Sequence, residues 1–248
     1  MPPVGKDRSG RYGTVTDDEK TKDEDCSMKI NGAVFDMDGT LVDSLTFWAS
    51  LWGDIGKEYL QDPSFTVPKE VDRKIRTMVL KDAMVYVRDF CKLDISAEEL
   101  EEFTKGRLEN FYRTVVTVKG NAEAFLKHLK AKGIPMVLAT ATEQKYVDVV
   151  MERLGLADYF DVMLSCVDLG VGKDRPDIYL ESARRLGLEA GEICVFEDSY
   201  VALETAKAAG FQTVGIFDEN NFRQDRLEAA SDVYIAKGAD ISDLIPMI

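Results

Sequence analysis

Short apolar runs alternate with segments of helical period over most of the chain. Residues 30–36 read Ile-Asn-Gly-Ala-Val-Phe-Asp, mainly apolar and ending at a carboxylate, the pattern of a strand covered on both faces. Comparable runs follow at 134–139, 162–165, 193–196, 213–217 and 233–236. Between them lie helix-period segments at 121–132, 144–154, 176–186, 200–209 and 223–230, each long enough to cross over a sheet. Pro176 suits a first helical position, and Gly187 and Gly210 suit helix stops. The alternation predicts an α/β protein, a doubly wound parallel sheet with helices on both faces.

Residues 45–118 break the pattern. Their apolar positions, among them Ile75, Met84, Val87 and Phe90, follow helical spacing with no convincing strand, and Pro63 and Pro68 interrupt them. About four helices are expected there, packed as a small all-helical domain whose core includes Phe47, Trp48, Trp52 and Tyr59. Residues 1–27 carry almost nothing apolar except Val4 and Tyr12, and read as a disordered tail. The expected organisation is therefore a tail at 1–27, an α/β core from 28–44 and 119–248, and a helical insert at 45–118.

The 248 residues are 45% hydrophobic and 31% charged, which suits a packed globular chain. Lys and Arg total 31 against 45 Asp and Glu, and the formal charge of -14 repels nucleic acid and anionic lipid alike. Cys26, Cys91, Cys166 and Cys194 match neither a metal knuckle nor a disulfide scaffold, so reduced thiols are expected. No apolar run reaches the ~18 residues of a membrane span, and no signal peptide is evident. These features point to a cytoplasmic protein without nucleic-acid or membrane partners, and they leave its oligomeric state open.

The first apolar run ends in Asp36-Met37-Asp38-Gly39-Thr40, two carboxylates where a parallel strand opens into a ligand crevice. Two close anions call for a cation, and Mg²⁺ held by carboxylates, water and a phosphate meets that need; an ordinary Asp-Gly turn would look the same in isolation. Three later sites fall at or after the ends of other expected strands. Thr140 offers a hydroxyl to a phosphate oxygen, Lys173 a point charge, and Glu197-Asp198 a second carboxylate pair able to complete a metal site with Asp36. GVGK at 170–173 lacks the first glycine and the final Ser or Thr of a phosphate loop. His128, the one histidine, lies on an expected amphipathic helix and reads as structural or solvated.

With FDMDGTLVDS, LATAT, Lys173 and FEDS in that order, the chain resembles the haloacid dehalogenase superfamily over about 30–245, in the branch whose helical cap follows the first motif. Within it, the similarity is to the phosphoglycolate phosphatase and β-phosphoglucomutase-like group. The resemblance implies a Rossmann-like core, with Asp36 as the nucleophile that forms an aspartyl phosphate and Asp38 as general acid and base. It implies that Thr140 and Lys173 hold phosphoryl oxygens. Mg²⁺ is then expected on the Asp36 side chain, the Asp38 backbone carbonyl and Asp198, with Glu197 close by, directly or through water. The implied activity is a phosphatase acting on a small phosphorylated metabolite, a sugar phosphate or phosphoglycolate. Asp38 argues against dehalogenation, since a halide leaves without a proton.

Two departures stand out: Asp174-Arg175 occupies a position where relatives often have proline after the lysine, and Ala202 stands where glycine is common. A phosphosugar mutase is the alternative, though its usual hinge histidine is absent from Ser44-Leu45-Thr46-Phe47. A phosphonate hydrolase would need a cap lysine, and Lys57, Lys69, Lys74 and Lys81 include none that is marked out. A non-catalytic binding protein on the same fold would not require Asp38. Hinges near 43–46 and 116–120 are expected to let the cap close and exclude water.

Overall fold

The computed structural model describes residues 29–75, 78 and 80–248; the expected tail at 1–27, with Cys26, lies outside them. Six strands make up one sheet: β1 Gly32–Phe35, β2 Met136–Thr140, β3 Val162–Ser165, β4 Ile193–Glu197, β5 Gln212–Ile216 and β6 Val233–Ile235. All neighbours are parallel, in the order β3-β2-β1-β4-β5-β6. The strands are short and apolar because both faces are covered, and β1, β2 and β4 are buried along their whole length.

Side chains that alternate along each strand feed two separate cores. Ala33, Phe35, Leu138, Cys194 and Phe196 point to one face, where α5 Ala122–Ala131 and α6 Gln144–Arg153 supply Phe125, Leu126, Val147 and Met151. Val34, Val137, Ala139 and Val195 point to the other, under three helices that follow the single turn α7 Cys166–Leu169. These are α8 Asp177–Leu186, α9 Tyr200–Ala208 and α10 Gln224–Ala230. Gly187 (φ +67°) and Gly210 (φ +92°) stop α8 and α9 as the sequence suggests. Pro176 stands one position earlier than expected, as the cap of α8 rather than its first residue.

Between β1 and β2 the chain is helical: α1 Thr46–Ile55, α2 Lys69–Ile75, α3 Leu80–Cys91 and α4 Ala97–Asn110. Ser96 caps α4 by accepting the Glu99 N–H at 3.0 Å. Phe47 and Trp52 are buried in this insert and Trp48 packs partly buried against them. Both outer helices run on into a π turn, α1 through Gly56–Leu60 and α4 through Phe111–Val115. The linkers that leave and re-enter the sheet lie side by side: Val42 bridges Val118, and the Lys119 N–H meets the Leu41 carbonyl at 2.8 Å. No helix among the described residues is long and apolar enough to cross a membrane.

Phe35 and Phe196 stack across β1 and β4 with ring centroids 4.4 Å apart, and Phe125 closes edge-on against Phe196 at 5.5 Å. This cluster supports the strand ends from which the carboxylates project. Phe196→Ala is therefore expected to lower stability to urea by about 3–5 kcal/mol; an unchanged unfolding midpoint would show that the strand ends are held by something else.

Candidate active site

Strand order reverses between β1 and β4, since β1 continues outward to β2 while β4 continues to β5, and an open crevice forms at the carboxyl ends there. The ladder runs one residue past β1, with the Asp36 N–H on the Phe196 carbonyl at 3.0 Å. Met37 then turns wholly into the core, leaving Asp36 and Asp38 to address the crevice from the other side. Gly39 follows with φ +82°, and a Cβ there would stand 2.2 Å from Asp198 Oδ2, so the turn requires glycine. Thr140 closes β2, Glu197 closes β4 with Asp198 next to it, and Lys173 enters from the loop before α8. All six sequence-derived residues, Asp36, Asp38, Thr140, Lys173, Glu197 and Asp198, line one pocket of ≈ 490 Å³.

Lys173 lies at its base, with Nζ donating to Asp36 Oδ1 and, at 2.5 Å, to Glu197 Oε1. Glu197 also accepts the buried Tyr179 hydroxyl at 3.2 Å and the Ser199 N–H at 3.3 Å. Glu197 is thus the lysine's counter-ion, fixed from below. Asp198 Oδ2 accepts the Asn221 amide at 2.8 Å. Beside it Lys119 pairs with Asp218 at 2.7 Å and also donates to the Gly39 carbonyl.

Asp38 is held differently. Its Oδ1 accepts the Tyr112 hydroxyl at 2.8 Å and its Oδ2 the Thr142 hydroxyl at 2.6 Å, with Thr140 Oγ1 at 3.5 Å from Oδ2. Tyr112, Thr142, Tyr179 and Asn221 are the site residues that motif reading passed over. Thr142 lies inside the LATAT run, two residues after Thr140; Tyr112, in the helical insert 74 positions from Asp38, carries no local signal. His128 is not among the pocket residues; it sits on α5 with Nε2 buried and unpartnered. Asp174 does line the pocket, exposed beside Lys173.

The charges do not balance. Asp36, Glu197 and Asp198 are exposed to 6%, 1% and 3%, with the single ammonium of Lys173 among them. Burial pushes the Asp36 carboxyl well up; Lys173 pulls it back, and the charges of Glu197, Asp198 and Asp38 push it further up. Burial and then Glu197 raise Asp198 to about 7, against the opposing pull of Lys119. Burial alone would lower Lys173, but the Asp36 and Glu197 carboxylates outweigh it and keep the ammonium charged. Tyr112 is pushed well up by burial and by the Asp38 charge, so it remains a donor. Asp36, Glu197 and Asp198 each offer an oxygen within 4.8 Å of the others. A divalent cation fits this donor set, because it supplies the missing positive charge to buried oxygens.

A family model for haloacid dehalogenase-like hydrolases matches residues 30–210. The chain is 26% identical over 221 residues to a phosphorylated carbohydrates phosphatase of Thermotoga maritima, covering 87% of this chain and 98% of that protein. It is 27% identical over 223 residues to a phosphoglycolate phosphatase of Pectobacterium atrosepticum, covering 87% and 92%. A solved β-phosphoglucomutase from Clostridium difficile shares the fold, with a TM-score of 0.65 at 16% identity over 88% of this chain and 96% of that one. The chain belongs to the haloacid dehalogenase-like hydrolases. It is a hydrolase on a Rossmann-like core with a helical insert after the first strand, as its motifs lead one to expect.

The raised Asp198 fixes the sign of a pH effect. Its folded value of about 7 lies above the ordinary 3.8, so the folded state holds the extra proton and the stability this confers is lost as pH rises from about 4 to about 7. With divalent ions chelated, Asp198→Asn is expected to melt at increasingly higher temperature than the wild type across that window. Mg²⁺ added at pH 8 should close the gap by stabilising the wild type. A gap that shrinks with rising pH in EDTA would contradict the charge imbalance.

Proposed function

We propose that this chain is a Mg²⁺-dependent phosphatase of small phosphomonoesters that works through an aspartyl phosphate on Asp36. The observation that carries the reading is the division of labour between the two aspartates. Asp36 is buried against Lys173 at the crevice floor, whereas Asp38 is partly buried and its side chain accepts from hydroxyl groups among the described residues.

In the first step an Asp36 carboxylate oxygen attacks phosphorus and the bond from phosphorus to the substrate oxygen breaks. Protonated Asp38 gives its proton to that leaving oxygen, so an alcohol departs rather than an alkoxide. In the second step a water attacks the aspartyl phosphate, Asp38 takes the water's proton, and inorganic phosphate leaves with Asp36 restored. Lys173 and Thr140 hold phosphoryl oxygens throughout. Asp36 and Asp198, with the Asp38 backbone carbonyl, would hold Mg²⁺, which when bound screens the repulsion between the carboxylate nucleophile and the phosphate dianion.

The pocket's charge also bears on the substrate. Its described lining has one cation, Lys173, against the carboxylates of Asp36, Asp38, Asp174, Glu197 and Asp198. A second anionic group on the substrate would meet Asp174 with no cation to receive it, while Leu45 and Val201 offer apolar contact to an uncharged remainder. This favours the monophosphate of a sugar or polyol over phosphoglycolate, whose carboxylate needs a cationic partner.

Phosphate release from hexose and hexitol monophosphates, phosphoglycolate and p-nitrophenyl phosphate, with Mg²⁺ or EDTA, tests the reading. Expected are turnover that requires Mg²⁺, a loss of at least about 10³-fold in Asp36→Asn, and kcat/KM at least about tenfold higher for the neutral sugars than for phosphoglycolate. Release that survives Asp36→Asn would overturn the covalent route, and isomerised sugar phosphate in place of free phosphate would point to a mutase.

A further inference from the structure

Asp38 has to deliver a proton to one oxygen and then take one from another, so the direction of its carboxyl group matters as much as its presence. It follows the end of β1, and two hydroxyls hold its carboxylate, one on each oxygen, from different parts of the molecule. Thr142 Oγ1 donates to Oδ2 from the loop after β2, in the core. Tyr112 donates to Oδ1 from the π turn Phe111–Val115, the last segment of the helical insert before the chain returns to the sheet.

That turn is built to aim the phenol. The Val116 N–H reaches back five residues to the Phe111 carbonyl at 3.0 Å, the wide loop that inserts one residue into a helix and redirects the side chains that follow. Arg153 on α6 grips the segment from the core side, with Nε on the Tyr112 carbonyl at 3.1 Å and a guanidinium nitrogen on the Val116 carbonyl. The Tyr112 ring is 5% exposed and stacks on Tyr146, centroids 5.5 Å apart and planes at 26°. The phenol oxygen is thereby held beside Asp38 Oδ1 and Thr142 Oγ1.

The two anchored oxygens are not equivalent. Oδ2 is the one that lies 3.5 Å from Thr140 Oγ1, the hydroxyl at the end of β2 that faces the phosphoryl side of the pocket. Tyr112 and Thr142 hydroxyls are 3.4 Å apart, so Thr142 can turn its proton toward the phenol oxygen and release Oδ2. Oδ1, with the phenol on it, then stays put while Oδ2 carries the moving proton.

We propose that Tyr112 is a positioning residue for proton transfer, anchoring Asp38 Oδ1 so that Oδ2 faces the leaving oxygen. The linker of the helical insert thereby enters the chemistry without touching substrate. This rests on Asp38 acting as the acid in the phosphatase reading above.

Tyr112→Phe tests it, because the ring and its stacking survive and only the hydroxyl is lost. The readout is kcat/KM for two leaving groups, which covers steps only through departure of the alcohol. A hexitol monophosphate leaves as a poor alkoxide and needs the proton; p-nitrophenyl phosphate leaves as a stable phenolate and does not. The variant is expected to lose at least about tenfold on the hexitol phosphate and less than about threefold on p-nitrophenyl phosphate. Tyr146→Leu, which removes the stacking partner but keeps the hydroxyl, is expected to discriminate between the two substrates in the same direction and by a smaller factor than Tyr112→Phe.

Equal losses on the two substrates in Tyr112→Phe, or no loss on either, would overturn the proposal. So would a Tyr146→Leu variant that discriminates between leaving groups as strongly. A wild type that releases phosphate from neither substrate in Mg²⁺ would instead remove the phosphatase reading itself, and the proposal with it.

Discussion

A buried ammonium between two buried carboxylates governs the layout of the crevice. Lys173 is drawn to Asp36 and Glu197 at the junction of β1 and β4, and no other cation lines the described pocket. Removing such a partner leaves an uncompensated charge in low dielectric, a change that typically costs about 3–5 kcal/mol. The surrounding structure is arranged so that this does not happen: Tyr179 and the Ser199 N–H hold Glu197 from the core, and the Phe35–Phe196 stack fixes the strand ends from which Asp36 and Glu197 project. Even so, one ammonium does not neutralise Asp36, Glu197 and Asp198 together. The remaining negative charge is what makes the site receptive to a divalent cation and, through it, to a phosphate.

The same constraint separates the two aspartates of the first motif. Asp36 is tied into the ion-pair cluster, where its lone pairs face a cation. Asp38, two residues later, is outside that cluster and accepts from the neutral hydroxyls of Tyr112 and Thr142. The geometry of an extended chain accomplishes this, because Met37 between them is committed to the core. The paired linkers at Val42 and Val118 then bring the end of the helical insert back beside the site.

Much of this was legible in the sequence. The α/β order follows from apolar runs whose positions match the strands to within about two residues at each end, because strands covered on both faces have few places for polar residues. Asp36, Asp38, Thr140, Lys173, Glu197 and Asp198 were visible because each sits in a short motif at or after a strand end. Tyr112 was not, since its role arises from a π turn in the insert and a contact 74 positions away, and neither leaves a periodic trace. The role of Glu197 was also only half visible. A carboxylate beside Asp198 reads as a metal ligand, and only the side-chain geometry adds that Glu197 also accepts from Lys173, Tyr179 and the Ser199 amide.

The most direct test of the charge imbalance is the number of protons released when Mg²⁺ binds, obtained by calorimetry in buffers of different ionisation enthalpy. With Asp198 near 7, about one proton or more is expected to be released per Mg²⁺ at pH 6, falling toward zero at about pH 9. Mg²⁺ binding at pH 6 with no proton release, or no Mg²⁺ binding at either pH, would contradict it.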